Sequence, residues 1–295
     1  MKKIILLLVL AFSLLTYSQG RGVKIGYIDM DYILEKVPEY AETKNQLEQK
    51  ALKWKQEIEI KRNAINKLKE SSDATYKKLE DKMMPSGGFP WFSGGYESRY
   101  ITQHILAGLG HLDKLFPNSD SDFDNITKRA IPYLDANFIE SKRLNKLYSP
   151  SYNHADIHYL YARSFYLKQY PVSKQVDSII KVDLGNLKKK WLDYSLYQKG
   201  IMALVMHRYN EKEFAKKIIT HLKETSASNE NDGMYWIANQ SGYYWYESKI
   251  ETQALIIEAF AEIENNTKSI DAMKVWLIRN KQSKSWSTTK STSEA

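Results

Sequence analysis

His154 and His158 stand one helical turn apart, and their spacing points most directly to chemistry. At i and i+4 on a helix their imidazoles share a face, an arrangement that offers two ligands to zinc. The glutamate that follows the first histidine in the zinc-protease motif is missing, and no third ligand is evident. The pair therefore reads as half-buried helix histidines, and no metal is assigned. His104 and His111, seven residues apart, also share a face and read as packing residues. Paired carboxylates could serve as acid and base on a glycosidic bond. Asp156, Glu251 and Glu258 are the candidates, by their places near loop ends. Glu251 and Glu258 lie one heptad apart, so they are expected to share a face without opposing each other across a cavity. No phosphate-cradling glycine loop is present. No catalytic residue and no cofactor is assigned on these patterns, and the chain is not expected to be an enzyme.

A second class of feature is aromatic. The loop Gly87-Gly88-Phe89-Pro90-Trp91-Phe92-Ser93-Gly94-Gly95 leads into an apolar helical pattern. Gly242-Tyr243-Tyr244-Trp245-Tyr246 does the same ahead of Ile250 to Phe260, and Trp286 stands in a third echo at Ser283–Thr289. Rings such as Phe89, Trp91, Phe92, Tyr243, Tyr244, Trp245 and Trp286 could form carbohydrate platforms. The repeat predicts instead a structural role, with aromatic turns plugging the ends of stacked helical hairpins.

The elements that must position these residues are bounded by composition. With 295 residues, 43% of them hydrophobic, the chain can bury a substantial core, and its length permits two domains. Residues 1–18 read as a signal peptide: basic Lys2 and Lys3, an apolar run from Ile4 to Leu15, and a small-x-small site at Thr16-Tyr17-Ser18. Export to the periplasm, or to the outer membrane, of a Gram-negative bacterium is expected, with no transmembrane segment in the mature chain. The absence of cysteine excludes disulfides, thiolate metal sites, cysteine nucleophiles and thioesters. The formal charge is +8, of which Lys2 and Lys3 supply two, and the basic residues are dispersed. Nucleic acid is therefore not an expected partner.

The chain changes register along its length. Val23 to Met30 alternates like a short strand, and Pro38 opens a helical pattern. Leu47, Ala51, Trp54, Ile58, Ile65 and Leu68 keep 4-3 spacing, with Lys61 in the seam, which is the pattern of a coiled-coil arm that needs a partner helix. The frame fails at Ser72 and Thr75. The segments Ile25-Gly26-Tyr27-Ile28-Asp29, Ile33-Leu34-Glu35, Pro38-Glu39-Tyr40 and Leu47 to Trp54 resemble the N-terminal part of the Skp/OmpH family of periplasmic chaperones. The resemblance covers about residues 22–70. It implies trimers whose helical arms clasp unfolded outer-membrane proteins, with only the first strand and the descending helix represented.

From Asp73 to Ala295 the pattern is helical. Expected helices are 73–83, 98–115, 123–147, 153–166, 172–183, 187–208, 211–224, 249–265 and 269–280, and nothing reads as a sheet. Gly87 to Phe92, Arg99 to His104, Gly108 to Leu112, Gly233-Met234-Tyr235-Trp236, Gly242 to Tyr246 with Ile250 to Ala254, and Trp286 to Lys290 resemble the thioester-containing domain of bacterial, Bacteroidetes-type alpha-2-macroglobulins. The resemblance implies an α/α toroid within a large protease trap. The fold expectation is mainly α: an incomplete α/α toroid of helical hairpins, truncated at its C-terminus, preceded by a short strand and a coiled-coil arm. The two resemblances meet between Glu70 and Asp73.

The expected function is that of a fragment of an exported alpha-2-macroglobulin-like inhibitor, acting on proteases by entrapment and lacking a thioester of its own. The alternative is a Skp/OmpH-like chaperone that self-trimerises through residues 22–70 and binds unfolded outer-membrane proteins. A third reading is an α/α-toroid carbohydrate-active enzyme.

Overall fold

The computed structural model describes residues 36, 38–115, 124–148, 154–240 and 248–281. The expected signal peptide and the strand at 23–30 lie outside the described residues. The chain divides into two compact units, Met1–Ser72 and Asp73–Ala295.

Helix α1 spans Pro38–Glu80. Pro38 stands at its start, where a missing N–H costs no intrahelical bond. Neither glycine nor proline interrupts the sequence from Glu39 to Glu80. The separate helix expected at 73–83 is thus corrected: its residues up to Glu80 continue α1. Ser72 and Thr75 interrupt the apolar seam, but a seam reports packing partners, whereas the hydrogen-bond ladder needs only unobstructed backbone.

The second unit is built mainly of helices: α2 (Arg99–Leu115), α3 (Asp124–Tyr148), α4 (His154–Ser164), α5 (Lys174–Lys190), α6 (Leu196–Arg208), α7 (Lys212–Glu224), α8 (Lys249–Ile263) and α9 (Thr267–Arg279). Helices α2, α4, α6 and α8 pack side by side in a row. On this row α3 packs against α2 and α4, α7 against α6 and α8, and α9 against α8, while α5 packs against α3. Helix α6 is buried nearly all round, from Gly200 to Met206, as expected of a helix with neighbours on every side. Helix α7 is amphipathic and turns Ala215, Ile218, Ile219 and Leu222 inward. One core joins Leu106, Ile126, Phe138, Leu160, Leu204, Ile218, Ile256 and Phe260 across these helices.

Two antiparallel hairpins correct the expectation that nothing forms a sheet. Strand β1 (Phe89–Pro90) pairs with β2 (Glu97–Ser98), and β3 (Ala227–Asn229) pairs with β4 (Gly233–Tyr235). Strands of two or three residues are too short to express a period of two. The first hairpin is fixed to α2 by the Phe89 N–H, which donates to Thr102 Oγ1 at 2.9 Å. Gly87, at φ +93°, makes the turn before it, and a Cβ there would lie 2.2 Å from the Arg129 carbonyl oxygen.

The expected helix over 187–208 is also corrected. Helix α5 continues to Lys190, a 3-10 turn covers Trp191–Asp193, and Tyr194 is extended at ψ 151°. Ser195 then caps α6 in a reciprocal capping box with Gln198.

Candidate functional site

Two places carry functional character. The first is α1 in the Met1–Ser72 unit. Leu47, Trp54 and Ile58 follow one 4-3 seam and are 63%, 60% and 64% exposed, with Leu52 and Ile60 exposed as well. An apolar stripe of this length on an otherwise charged helix marks an interaction face.

The second is a cleft of about 50 Å³ among the helices of the Asp73–Ala295 unit. Helix α2 contributes His104, Gly108 and His111, whose i, i+4, i+7 spacing forms one stripe. Helix α4 adds His158 and Tyr161, α6 adds Tyr197, and α8 adds Glu251 and Leu255. The Tyr100 hydroxyl lies 2.8 Å from His104 Nε2. Its ring stacks on His158 at 5.7 Å, and His104 meets His158 edge-on at 4.9 Å.

A chain of hydrogen bonds runs along the cleft toward the C-terminal end of α8. Tyr161 donates to Glu258 at 2.7 Å, and His111 Nε2 lies 2.7 Å from the same hydroxyl oxygen. Tyr161 has one proton to give, so His111 carries its own on Nε2 and donates. Burial holds the His111 pKa below the usual histidine value, against the pull of Glu258. Arg208 donates to Glu258 and Glu262, and Lys114 also pairs with Glu262. Burial alone would raise the Glu262 pKa, but hydrogen bonding and charge from Arg208, with Lys114, bring it down to about 2.

The structure separates the carboxylates singled out from the sequence. Asp156 is buried on a different face of α4, taking Arg99 at 2.8 Å and Lys142 at 2.6 Å, and Lys142 also reaches Asp183 at 2.7 Å. It is held as part of the core. Glu251 lines the cleft at 4% exposure, while Glu258 is engaged by Tyr161 and Arg208. His158 is buried beside Tyr100 and His104, and the side chain of His154 lies outside the described residues. Among the described residues no group of three or more histidine, aspartate or glutamate side chains could hold a metal ion.

Of the aromatic-loop residues, Phe89 is buried, whereas Trp91 is 59% and Phe92 71% exposed. Trp91 stacks parallel to Tyr100 at 6.1 Å. Tyr243, Tyr244, Trp245 and Trp286 lie outside the described residues. Sequence reasoning missed Tyr100, Tyr161, Tyr197, Arg208 and Glu262. One signal was available in α8, where Glu251, Glu258 and Glu262 recur at i, i+7 and i+11 through an apolar helix.

No helix among the described residues is long and apolar enough to cross a membrane. No curated protein matches the chain. Residues 24–85 match the family described as Outer membrane protein (OmpH-like), so an OmpH-like segment includes the whole of α1 and runs on to Pro85, beyond the expected limit at residue 70.

Proposed function

We propose that the chain is an exported holding chaperone of the OmpH-like kind, acting in the periplasm without catalysis. Its arm self-associates and shields apolar segments of unfolded outer-membrane proteins. The observation that carries this reading is the exposed seam of Leu47, Trp54 and Ile58 on α1, inside the OmpH-like match. A three-heptad seam is too short to hold alone, which favours association of copies, expected as trimers. The charged residues between the seam positions keep the arm in water while the apolar stripe engages its partner. The test uses the full mature chain. Sedimentation velocity should give trimers, and a urea-unfolded outer-membrane barrel protein diluted into it should stay clear by light scattering. The triple variant Leu47→Ser, Trp54→Ser, Ile58→Ser should lose both properties while keeping the melting transition of the helical unit. A monomeric wild type that leaves aggregation unchanged would overturn the proposal.

A second reading rests on a separate observation. Helices α2, α4, α6 and α8 form one row with α3, α7 and α9 packed on it, which supports an arc of an α/α toroid. In that reading the helical unit is a docking element of an alpha-2-macroglobulin-like protease trap. The chain has no cysteine, so it traps without acylation. Co-sedimentation with active endoproteases, free of any covalent adduct, is the expected result; failure to co-sediment with a panel of serine and metalloproteases would remove it.

A further inference from the structure

We infer that the tip of the β1–β2 hairpin inserts into the interfacial layer of a phospholipid membrane. The tip lies past Pro85, where the OmpH-like match ends, so it is separate from the arm. From Trp91 to Tyr96 the chain reads Trp-Phe-Ser-Gly-Gly-Tyr, without a charged residue. Phe92 and Tyr96 project into solvent, Tyr96 at 95% exposure, and Trp91, stacked on Tyr100, is more than half exposed at their side.

Local structure holds these rings outward. Phe92 to Gly95 form a turn closed by the Gly95 N–H, which donates to the Phe92 carbonyl at 3.0 Å. Gly94 takes the third position at φ +84°, a conformation that glycine adopts without strain. Below the turn, Phe89 is buried and pairs across the hairpin with Ser98. Lys82 donates to Ser93 at 3.2 Å, and Ser86 donates to Glu97 at 2.6 Å. The rings stand on a braced support, so little conformational freedom is lost when they are covered.

Area and charge select the occupant. A fully covered aromatic side chain buries about 150–250 Å², so three rings supply at most about 600 Å². A stable protein interface takes about 800 Å² from each partner. The cleft of about 50 Å³ cannot socket a ring from a second copy, since a cavity that accepts benzene holds about 150 Å³. A lipid interface needs no socket. Tyrosine and tryptophan settle at headgroup level, with the ring body in apolar surroundings and the polar edge wet. Ser93, Gly94 and Gly95 bring no charge to desolvate. Lys82, beside Ser93, meets the phosphates with its ammonium group, while Glu97 is engaged by Ser86.

Flotation of the full chain with vesicles of phosphatidylethanolamine and phosphatidylglycerol tests the site. The chain should float with the vesicles, and most of the binding should persist at about 0.5 M salt, which screens Lys82 and leaves the rings unaffected. Phe92→Ser combined with Tyr96→Ser should weaken binding at least about tenfold, equal to 1.4 kcal/mol. The arm variant Leu47→Ser, Trp54→Ser, Ile58→Ser should stay within about twofold of wild type, which separates the tip from the arm. Because the chain has no cysteine, Tyr96→Cys offers a single thiol for an environment-sensitive fluorophore. Its emission should shift to the blue when vesicles are added. The same label on Leu192→Cys, exposed on the 3-10 turn after α5, should not shift. The inference is overturned if the wild type does not float, if the Phe92→Ser, Tyr96→Ser variant floats as wild type, or if the label on Tyr96→Cys does not shift. It is equally overturned if the tip variant breaks up a self-associated form of the chain while vesicles are ignored.

Discussion

Two glycines in one helix should respond to the same substitution with opposite sign. Gly108 and Gly110 both lie inside α2, where replacing glycine by alanine gains about 1 kcal/mol of helix propensity. A Cβ on Gly108 meets nothing within 4 Å. Gly108→Ala should therefore keep most of that gain and raise the melting temperature by about 2–4 °C for a unit of this size. A Cβ on Gly110 would lie 2.4 Å from Phe165 Cγ and 2.7 Å from Phe165 Cβ, well inside the carbon–carbon optimum of about 3.5–4.0 Å. Phe165 has little room to retreat. Arg208 stands 4.2 Å over its ring, His111 packs at 4.9 Å, and Tyr161 meets it edge-on at 5.4 Å. Overpacking of this kind costs about 1–3 kcal/mol, and an overlap of more than an ångström belongs in the upper half of that range. After the propensity gain, Gly110→Ala should lose about 1–2 kcal/mol, a fall of about 2–8 °C. Differential scanning calorimetry on both variants at one pH decides the matter. The double variant Gly110→Ala, Phe165→Leu should recover part of the loss, because the two sites are in contact. A Gly110→Ala protein that melts at or above wild type would refute the close approach of α2 to the end of α4.

Three further outcomes are expected. Asp156→Asn leaves Arg99, half-buried over Phe138 and Tyr159, without the buried carboxylate it pairs with, and urea denaturation should show a loss of about 3–5 kcal/mol, or no folded unit at all. Glu262 is held at about 2, below its ordinary 4.5. Its ion pairs therefore contribute in full above pH 4.5, and the contribution is lost as pH falls from 4.5 through 2; Glu262→Gln should flatten the dependence of melting temperature on pH across that window. Ser195→Ala removes the capping box of α6 and should cost about 1 kcal/mol in urea denaturation, with no change in the exposed seam of α1.

Most helices were legible because their apolar residues mark a buried face. In α7, Ala215, Ile218, Ile219 and Leu222 carry that signal, and in α2 Leu106 and Leu109 do. The break between α5 and α6 was hidden because Trp191 and Leu192 continue the apolar density across it. The Ser195-x-x-Gln198 spacing was the visible sign of a new start. The cleft was harder to read. Its residues come from four helices that are distant in sequence, and only the packing of α2, α4, α6 and α8 in one row brings His104, His158, Tyr197 and Glu251 together. Each histidine, considered alone on its helix, reads as a packing residue. The exposure of Trp91 and Phe92 was equally invisible, since a glycine-aromatic loop looks alike whether it plugs a helix end or projects from one, and Phe89 in the same loop is buried.

The OmpH-like match and the helical unit Asp73–Ala295 overlap at residues 73–85. Tyr76 and Leu79, three residues apart on α1, pack against the core of that unit, and Glu80 accepts a hydrogen bond from Asn125. Past the helix end, the Met84 carbonyl accepts from Gly87 N–H and from Arg129, and the Met84 N–H donates to the Gly88 carbonyl. Tyr76 and Leu79 thus belong to the core of this unit, and the family match covers the same residues. Along one unbroken helix the side chains pass from the exposed stripe of Leu47, Trp54 and Ile58 to the packed pair Tyr76 and Leu79. The backbone stays helical while the environment changes, because the hydrogen-bond ladder sets helicity and tertiary partners set burial. The packed end of α1 is thus accounted for by this chain's own core, and the exposed stripe is the part that calls for a partner.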